Sequence, residues 1–227
     1  MKVLVAVSGL KREARILSGA SAQPVIGGGD SAALRRKLET ALAPGADGIR
    51  GVISIGLAGA LDSSLGIGDC VVARWIWVDG EKIACDESWT MAIRTRLGGR
   101  ASADSIAGVD RVAVTRQEKS VLFDRTRAAA VDMESHVAAL FAHARGIPFV
   151  TLRVVSDLAR RSLPECARVA MARNGGIDMA AVMKSLAMHP LQLGDVVRTA
   201  RDAHAALAAL AADVRRLGPY LACPYPD

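Results

Sequence analysis

Two carboxylates, Glu134 and Asp157, stand where a sheet would present them to a ligand. The stretch from Ala128 to Asp157 reads as strand, helix, strand. Ala128 to Val131 is short and apolar. Asp132 can cap a helix, and Glu134 falls in the first turn, where a carboxylate is favoured. Val137, Leu140, Phe141 and Ala144 recur at helical spacing, Gly146 ends the helix, and Ile147-Pro148 turns the chain. Phe149 to Val155 is almost wholly apolar, as a strand covered on both faces requires, and Arg153 is its one charge. The strand stops at Ser156-Asp157. In open α/β sheets ligands sit outside the carboxyl ends of strands. Alone, each acid reads as a helix cap or a turn residue; joined by one βαβ unit, the two point to a site. An acid placed after Val154-Val155 can be kept protonated by desolvation, which a general acid needs near neutral pH.

Other elements must build the floor of such a site. Lys2 to Val7 reads as a strand, and Leu10 to Leu17 as a helix. Gly9, between them, lets backbone approach a ligand, and the helix start offers N–H groups. Glu13 lies in that turn; on spacing alone it is an exposed helix residue. Gln23 to Ile26 is a second strand, followed by Gly27-Gly28-Gly29-Asp30-Ser31-Ala32 and a helix to Leu42. This fits a dinucleotide pattern. The next strand, Gly51 to Ile55, ends in Gly56-Leu57 with no acid for a ribose, so a nicotinamide cofactor is rejected and a tight, closely packed turn preferred. Ala58, Gly59 and Ala60 then leave room for a ligand. Val71 to Val78 reads as one long strand, with Trp75 and Trp77 on one face as core or interface. Asp86 to Leu97 reads as a helix, Gly98 to Gly108 as a loop, Arg111 to Thr115 as a strand, and Gln117 to Asp124 as a short helix. Leu163 to Arg173, Asp178 to Met188 and the Arg-rich Asp195 to Leu217 read as helices.

Composition narrows the classes. The 227 residues suit one domain spanning 1–227, with ample length for a core. Cys70, Cys85, Cys166 and Cys223 form no CxxC pair and the four histidines show no ligand spacing, so neither a metal nor a disulfide framework is expected. His136, His143, His189 and His204 are expected on helix surfaces. A net charge of +6 permits nucleic-acid binding, yet eight aromatic residues without basic interleaving argue against it. MKVLVAVSGL is too short an apolar run for a signal peptide, and no run reaches transmembrane length. A cytoplasmic location is expected.

Val131-Asp-Met-Glu-Ser135, with Pro148-Phe-Val-Thr-Leu-Arg-Val-Val-Ser-Asp157, resembles the signature pair of the purine nucleoside phosphorylase and methylthioadenosine/S-adenosylhomocysteine nucleosidase superfamily. Gly51 to Leu61 and Leu65 to Ala73 resemble its Gly-x-Ala-Gly-Gly motif and Gly-Asp-Val-Val continuation. The resemblance implies a three-layer α/β/α fold with a central mixed sheet. It implies that Met133 packs on the ribose and that Glu134 accepts hydrogen bonds from its hydroxyls. Asp157, of the Ser156-Asp157 pair, would bind the purine and protonate N7. Ala58 and Gly59 would line the ribose and base pocket, Gly9 and Ser156 are further substrate-binding candidates, and Gly68 and Asp69 would be architectural. Glu13 matches the position of a glutamate that positions attacking water in nucleosidases. Inorganic phosphate is the alternative nucleophile, but Leu57 and Ser54 replace two usual phosphate anchors. No aromatic between Arg111 and Leu122 supplies the expected base stack.

Within the superfamily the chain is most similar to hopanoid-associated phosphorylases. It shares Ala130-Val-Asp-Met-Glu-Ser-His136, Ser162-Leu163-Pro164 and the helical tail from Asp178 to Arg201. That resemblance implies phosphorolytic release of adenine from adenosylhopane, a lipid-linked nucleoside. It also implies a homo-oligomer and peripheral contact with the inner membrane. Hydrolysis of adenosylhopane or another 5′-substituted adenosine is the alternative reading. A non-catalytic nucleoside-binding module and a basic adaptor for nucleic acid or membrane compete with both.

Overall fold

The computed structural model describes residues 2–41, 48–102, 104–164, 166, 176 and 178–225. Three parallel strands form its centre: β1 (Val3–Ser8), β3 (Ile49–Ala60) and β10 (Phe149–Asp157). Beyond β1 lies β2 (Gln23–Ile26), also parallel. Beyond β10 lie β4 (Cys70–Val72), antiparallel, and β7 (Ala101–Ser102). The far end of β3 leaves β1 and pairs antiparallel with β9 (Ala130–Asp132). From β9 the sheet continues through β8 (Ser105–Gly108), β5 (Trp75–Val78) and β6 (Glu81–Ala84). The sheet is therefore mixed and branches at β3, whose length serves both partners.

Period-two alternation along the strands separates two helix layers. Val5, Val7 and Val52 face α2 (Ser31–Thr40) and α5 (Ser135–His143), packing with Leu34, Leu38, Val137 and Phe141. Leu4, Ala6, Ile53, Val150, Leu152 and Val154 face the other way. They meet α3 (Glu87–Leu97) and α7 (Leu193–Leu217) through Trp89, Ile93, Leu210 and Val214. The short α1 (Lys11–Ile16) lies beside β1. A smaller cluster seats Leu122 and Phe123 of α4 (Arg116–Thr126) against Leu61, Ala107 and Val131. α6 (Met179–Met188) precedes α7. Two helix starts are capped as the sequence allows: Asp30 accepts from the Ala33 amide at 2.9 Å, and Asp86 from the Trp89 amide at 2.8 Å. The expected three-layer α/β/α arrangement with a central mixed sheet is what forms.

Four expectations are corrected. The strand expected to end at Ile55 runs on through the glycines to Ala60. The long strand expected from Val71 to Val78 is two strands, which pair with β10 and with β8 respectively. Their separation at Ala73-Arg74 lets the chain change neighbours. The expected loop from Gly98 to Gly108 contains β7 and β8, and the expected strand at Arg111 to Thr115 is irregular. The helix expected from Leu163 to Arg173 lies mostly outside the described residues, and Leu163 and Pro164 are non-helical.

Candidate active site

The carboxyl ends of β1, β3 and β10 adjoin one another, and the acidic side chains gather there. Glu13 is buried rather than an exposed helix residue. Its Oε2 accepts from the amides of Gly9 and Leu10, both at 2.8 Å, and its Oε1 accepts from the Leu57 amide at 2.8 Å. The helix-start amides expected to serve a ligand are therefore occupied by Glu13. A Cβ on Gly56 would come within 2.7 Å of Glu13 Oε1, so the glycine is what admits this carboxylate.

Glu134 lies across the end of β1. A Cβ on Gly9 would meet its Oε1 at 2.7 Å, and one on Gly27 would meet its Cγ at 3.0 Å. The close packing expected of the triple glycine is seen at Gly27, which packs onto Glu134. Met133, the neighbour expected to touch the sugar, is partly exposed at this edge.

Beneath the two glutamates lies Arg153, fully buried on β10. It forms an ion pair with Asp132 and approaches Glu134 Oε2 to 3.6 Å. It donates to Ser54 Oγ at 2.6 Å and to Ser135 Oγ at 3.3 Å. Asp132 also accepts from the Ser135 amide at 3.2 Å, but the N-cap of α5 is Glu134, expected inside the first turn, and its side chain makes no capping hydrogen bond. A buried charge without partners is prohibitively costly, so the arginine and its carboxylates require one another.

Asp157 ends β10. The register shifts by one residue between Val155 and Asp157, so Asp157 rather than Ser156 stands opposite Gly59. Such a bulge re-aims a side chain. A Cβ on Gly59 would lie 2.9 Å from Asp157 Oδ2, so Gly59 provides the space beside this oxygen. Ser156 Oγ donates to the carbonyl of Ala58 at 3.3 Å. Gly56 and Gly59 are three strand steps apart, about 10 Å. That spacing along β3 separates the Glu13–Glu134–Arg153 group, beside Gly56, from Asp157, beside Gly59.

Gly68 and Asp69 are architectural, as expected: Asp69 accepts from the Gly66 amide at 2.7 Å, and its carbonyl accepts from Val155 at 2.9 Å. Two charged residues of the site carry no assigned role in the sequence reading. Arg153 had a signal, a lone charge in an apolar strand. Lys119, which pairs with Asp157, had none. His136 is corrected from a helix-surface residue: it is buried, with Nε2 at 3.0 Å from Asp110 Oδ1. The other three histidines are exposed.

Burial shifts these acids in one direction. It raises Glu13 and Asp157, opposed by Arg153 in the first case and by Lys119 in the second. Glu134 is pushed up to about 8, by burial first, against Arg153 and with help from Asp132 and Glu13. A folded-state value above the unfolded one means that the folded protein holds the proton longer. The stability this contributes is full below the unfolded value of 4.5 and is lost as pH rises toward 8. Melting temperature should therefore fall from about pH 5 to about pH 8.5, and Glu134→Gln should flatten the slope. An equal slope in that variant would clear Glu134 of the effect.

A fold and site of this kind define a class. The family model described as the phosphorylase superfamily matches residues 2–187, and the chain belongs to that superfamily. It is an enzyme of the nucleoside phosphorylase and nucleosidase class. Among solved structures it is similar to the 5′-methylthioadenosine/S-adenosylhomocysteine nucleosidase of Campylobacter jejuni. That match has 16% identity and a TM-score of 0.60, and covers 93% of this chain and 100% of the other. It is also similar to the S-adenosylhomocysteine nucleosidase of Streptococcus pyogenes in complex with 5-methylthiotubericidin (20% identity, TM-score 0.59, 70% and 85% covered). A third is the futalosine hydrolase of Helicobacter pylori (18% identity, TM-score 0.56, 69% and 88% covered). No curated protein matches the chain. No helix among the described residues is long and apolar enough to cross a membrane.

Proposed function

We propose that the protein cleaves the N-ribosidic bond of a 5′-substituted adenosine, with water as the nucleophile. The observation that carries this reading is the seating of Glu13. Its carboxylate takes the amides of Gly9, Leu10 and Leu57, which an inorganic phosphate would otherwise need. Leu57 and Ser54, in place of two usual phosphate anchors, agree with it. Arg153, the cation under the site, is already engaged by Asp132 and Glu134.

Each acid has a role in that reaction. The bond between C1′ and the purine N9 breaks, and its electron pair stays on the base. Asp157 gives a proton to N7, so that the base leaves neutral. Glu134 accepts hydrogen bonds from the vicinal ribose hydroxyls and, when ionised, favours the cation-like sugar. Glu13 accepts a proton from water as it attacks C1′; burial makes it a stronger base than an ordinary carboxylate. Three of the solved relatives are named for nucleosidase or hydrolase activity, which agrees with water.

Phosphorolysis of adenosylhopane is the second reading, favoured by the resemblance to the hopanoid-associated group. A panel of methylthioadenosine, S-adenosylhomocysteine, futalosine and adenosylhopane, assayed for base release with and without inorganic phosphate, decides between the two. Hydrolysis predicts release that is indifferent to phosphate and depressed by Glu13→Gln. Strict dependence on phosphate, with a ribose 1-phosphate product, would overturn it. No release from any member, with tight adenine binding, would make the protein a nucleoside-binding module.

A further inference from the structure

Lys119 projects from α4 toward the end of β10 and is only 1% exposed. A lysine so buried is rare unless paired. Its ammonium has three N–H donors, and three acceptors surround it. They are Asp157 Oδ1, the Leu158 carbonyl at 2.9 Å and the Arg161 carbonyl at 3.1 Å. All three donors are thus used within the protein, and Lys119 can reach a substrate only through Asp157.

The frame around it is tied on both sides. The Leu163 amide donates to the Val114 carbonyl at 2.8 Å, and the Arg116 amide donates to Ser162 Oγ at 3.1 Å. The start of α4 is fixed in turn by Thr115 and Glu118, which exchange hydrogen bonds with each other's backbone. The cation is therefore held at Oδ1 of Asp157, while Oδ2, which Lys119 leaves free, is the nearer of the two to Gly59, at 2.9 Å against 3.2 Å from a Cβ built there.

We propose that Lys119 is a positioning residue for Asp157. It occupies Oδ1, reserves Oδ2 for the base, and stabilises the carboxylate left when the Oδ2 proton passes to the departing purine. The inference rests on the reading of Asp157 as the N7 acid. The step balances simply. The C1′–N9 bond breaks with its electrons on the base, the Oδ2 proton moves to N7, and Lys119 stays an ammonium throughout. Burial holds the proton on Asp157, and the Lys119 charge opposes that retention. Among the described residues, the other charged groups acting on Asp157 are Arg161 and Asp202 of α7, and these pair with each other at 2.5 Å.

The test is the pH profile of kcat/KM for a cleaved adenosine derivative in wild type, Lys119→Met and Lys119→Arg. The basic limb reports loss of the Asp157 proton. Lys119→Met should move it upward by about one pH unit or more and lower the plateau, while Lys119→Arg should keep it near wild type. A nitrophenyl riboside, whose leaving group needs no protonation, should be cleaved by all three at similar rates. Because Lys119→Met leaves a buried carboxylate unpaired, the same change is also made in Asp157→Asn. There it should cost no further activity on the adenosine derivative. A basic limb unmoved by Lys119→Met, or a further loss when it is added to Asp157→Asn, would overturn the proposal. Failure of wild type to release base from any purine nucleoside would instead remove the underlying reading, and the role of Lys119 with it.

Discussion

Asp157→Asn is expected to lower base release from a purine nucleoside by ~10²–10⁴-fold, the usual worth of general acid help. Asparagine keeps the size and can still accept from Lys119, but it has no carboxyl proton to give. The fall should appear in kcat more than in KM, because the lost interaction strengthens as the base leaves. A nitrophenyl riboside needs no proton at its leaving group, so its turnover should survive. Steady-state kinetics on both substrates check this. Equal turnover of the purine nucleoside by variant and wild type would exclude Asp157 as the acid.

Arg153→Met should act on stability with comparable force. The side chain is fully buried, and its guanidinium faces Asp132, Glu134 and Glu13. Methionine removes the charge and leaves the acids packed together. Removing one partner of a buried pair costs about 3–5 kcal/mol, which for a chain of this length lowers Tm by roughly 6–20 °C. The loss should shrink toward pH 5, where the orphaned carboxylates take up protons instead of repelling one another. Thermal melts at neutral and acid pH measure it. A Tm within about 2 °C of wild type at neutral pH would show that the acids do not depend on this cation.

Much of the site could be read from residue order, because each acid follows a strand or ends one. Glu134 comes shortly after the apolar Ala128–Val131 stretch, Asp157 closes an apolar strand, and Glu13 lies one turn past Gly9. What order could not give was the partner of each charge. Arg153, as a lone charge in an apolar strand, called for a buried counter-ion but did not say which, since Asp132 and Glu134 reach it from the end of β9 and the start of α5. Lys119 was hidden among Arg116, Gln117, Glu118 and Ser120, a run that looks like any solvated helix face. It is buried because the segment after β10 docks on the start of α4, which no local pattern encodes.

The strand errors have a related cause. Gly56 to Ala60 looked like a turn because glycine weakens strands. In the fold Gly56 to Gly59 keep pairing with β10, Ala60 pairs with β9, and the bare Gly56 and Gly59 admit Glu13 and Asp157. Ser105 to Gly108 lacks the β-branched density of a strand and forms one because β5 and β9 lie on either side. His136 was read from its place on a helix, yet the N-terminal turn of α5 faces Asp110 and Ser31 rather than solvent.

Glu13 fastens three separate pieces of chain at once: the close of the first strand, the opening of the first helix and the middle of the third strand. If it is also the base, the same two oxygens act as a staple and as a reagent. Any change made there to quicken turnover will loosen the joint, and any change that tightens the joint will dull the reagent. Heat tolerance and speed are tied to a single side chain, and must be traded at that residue or altered elsewhere.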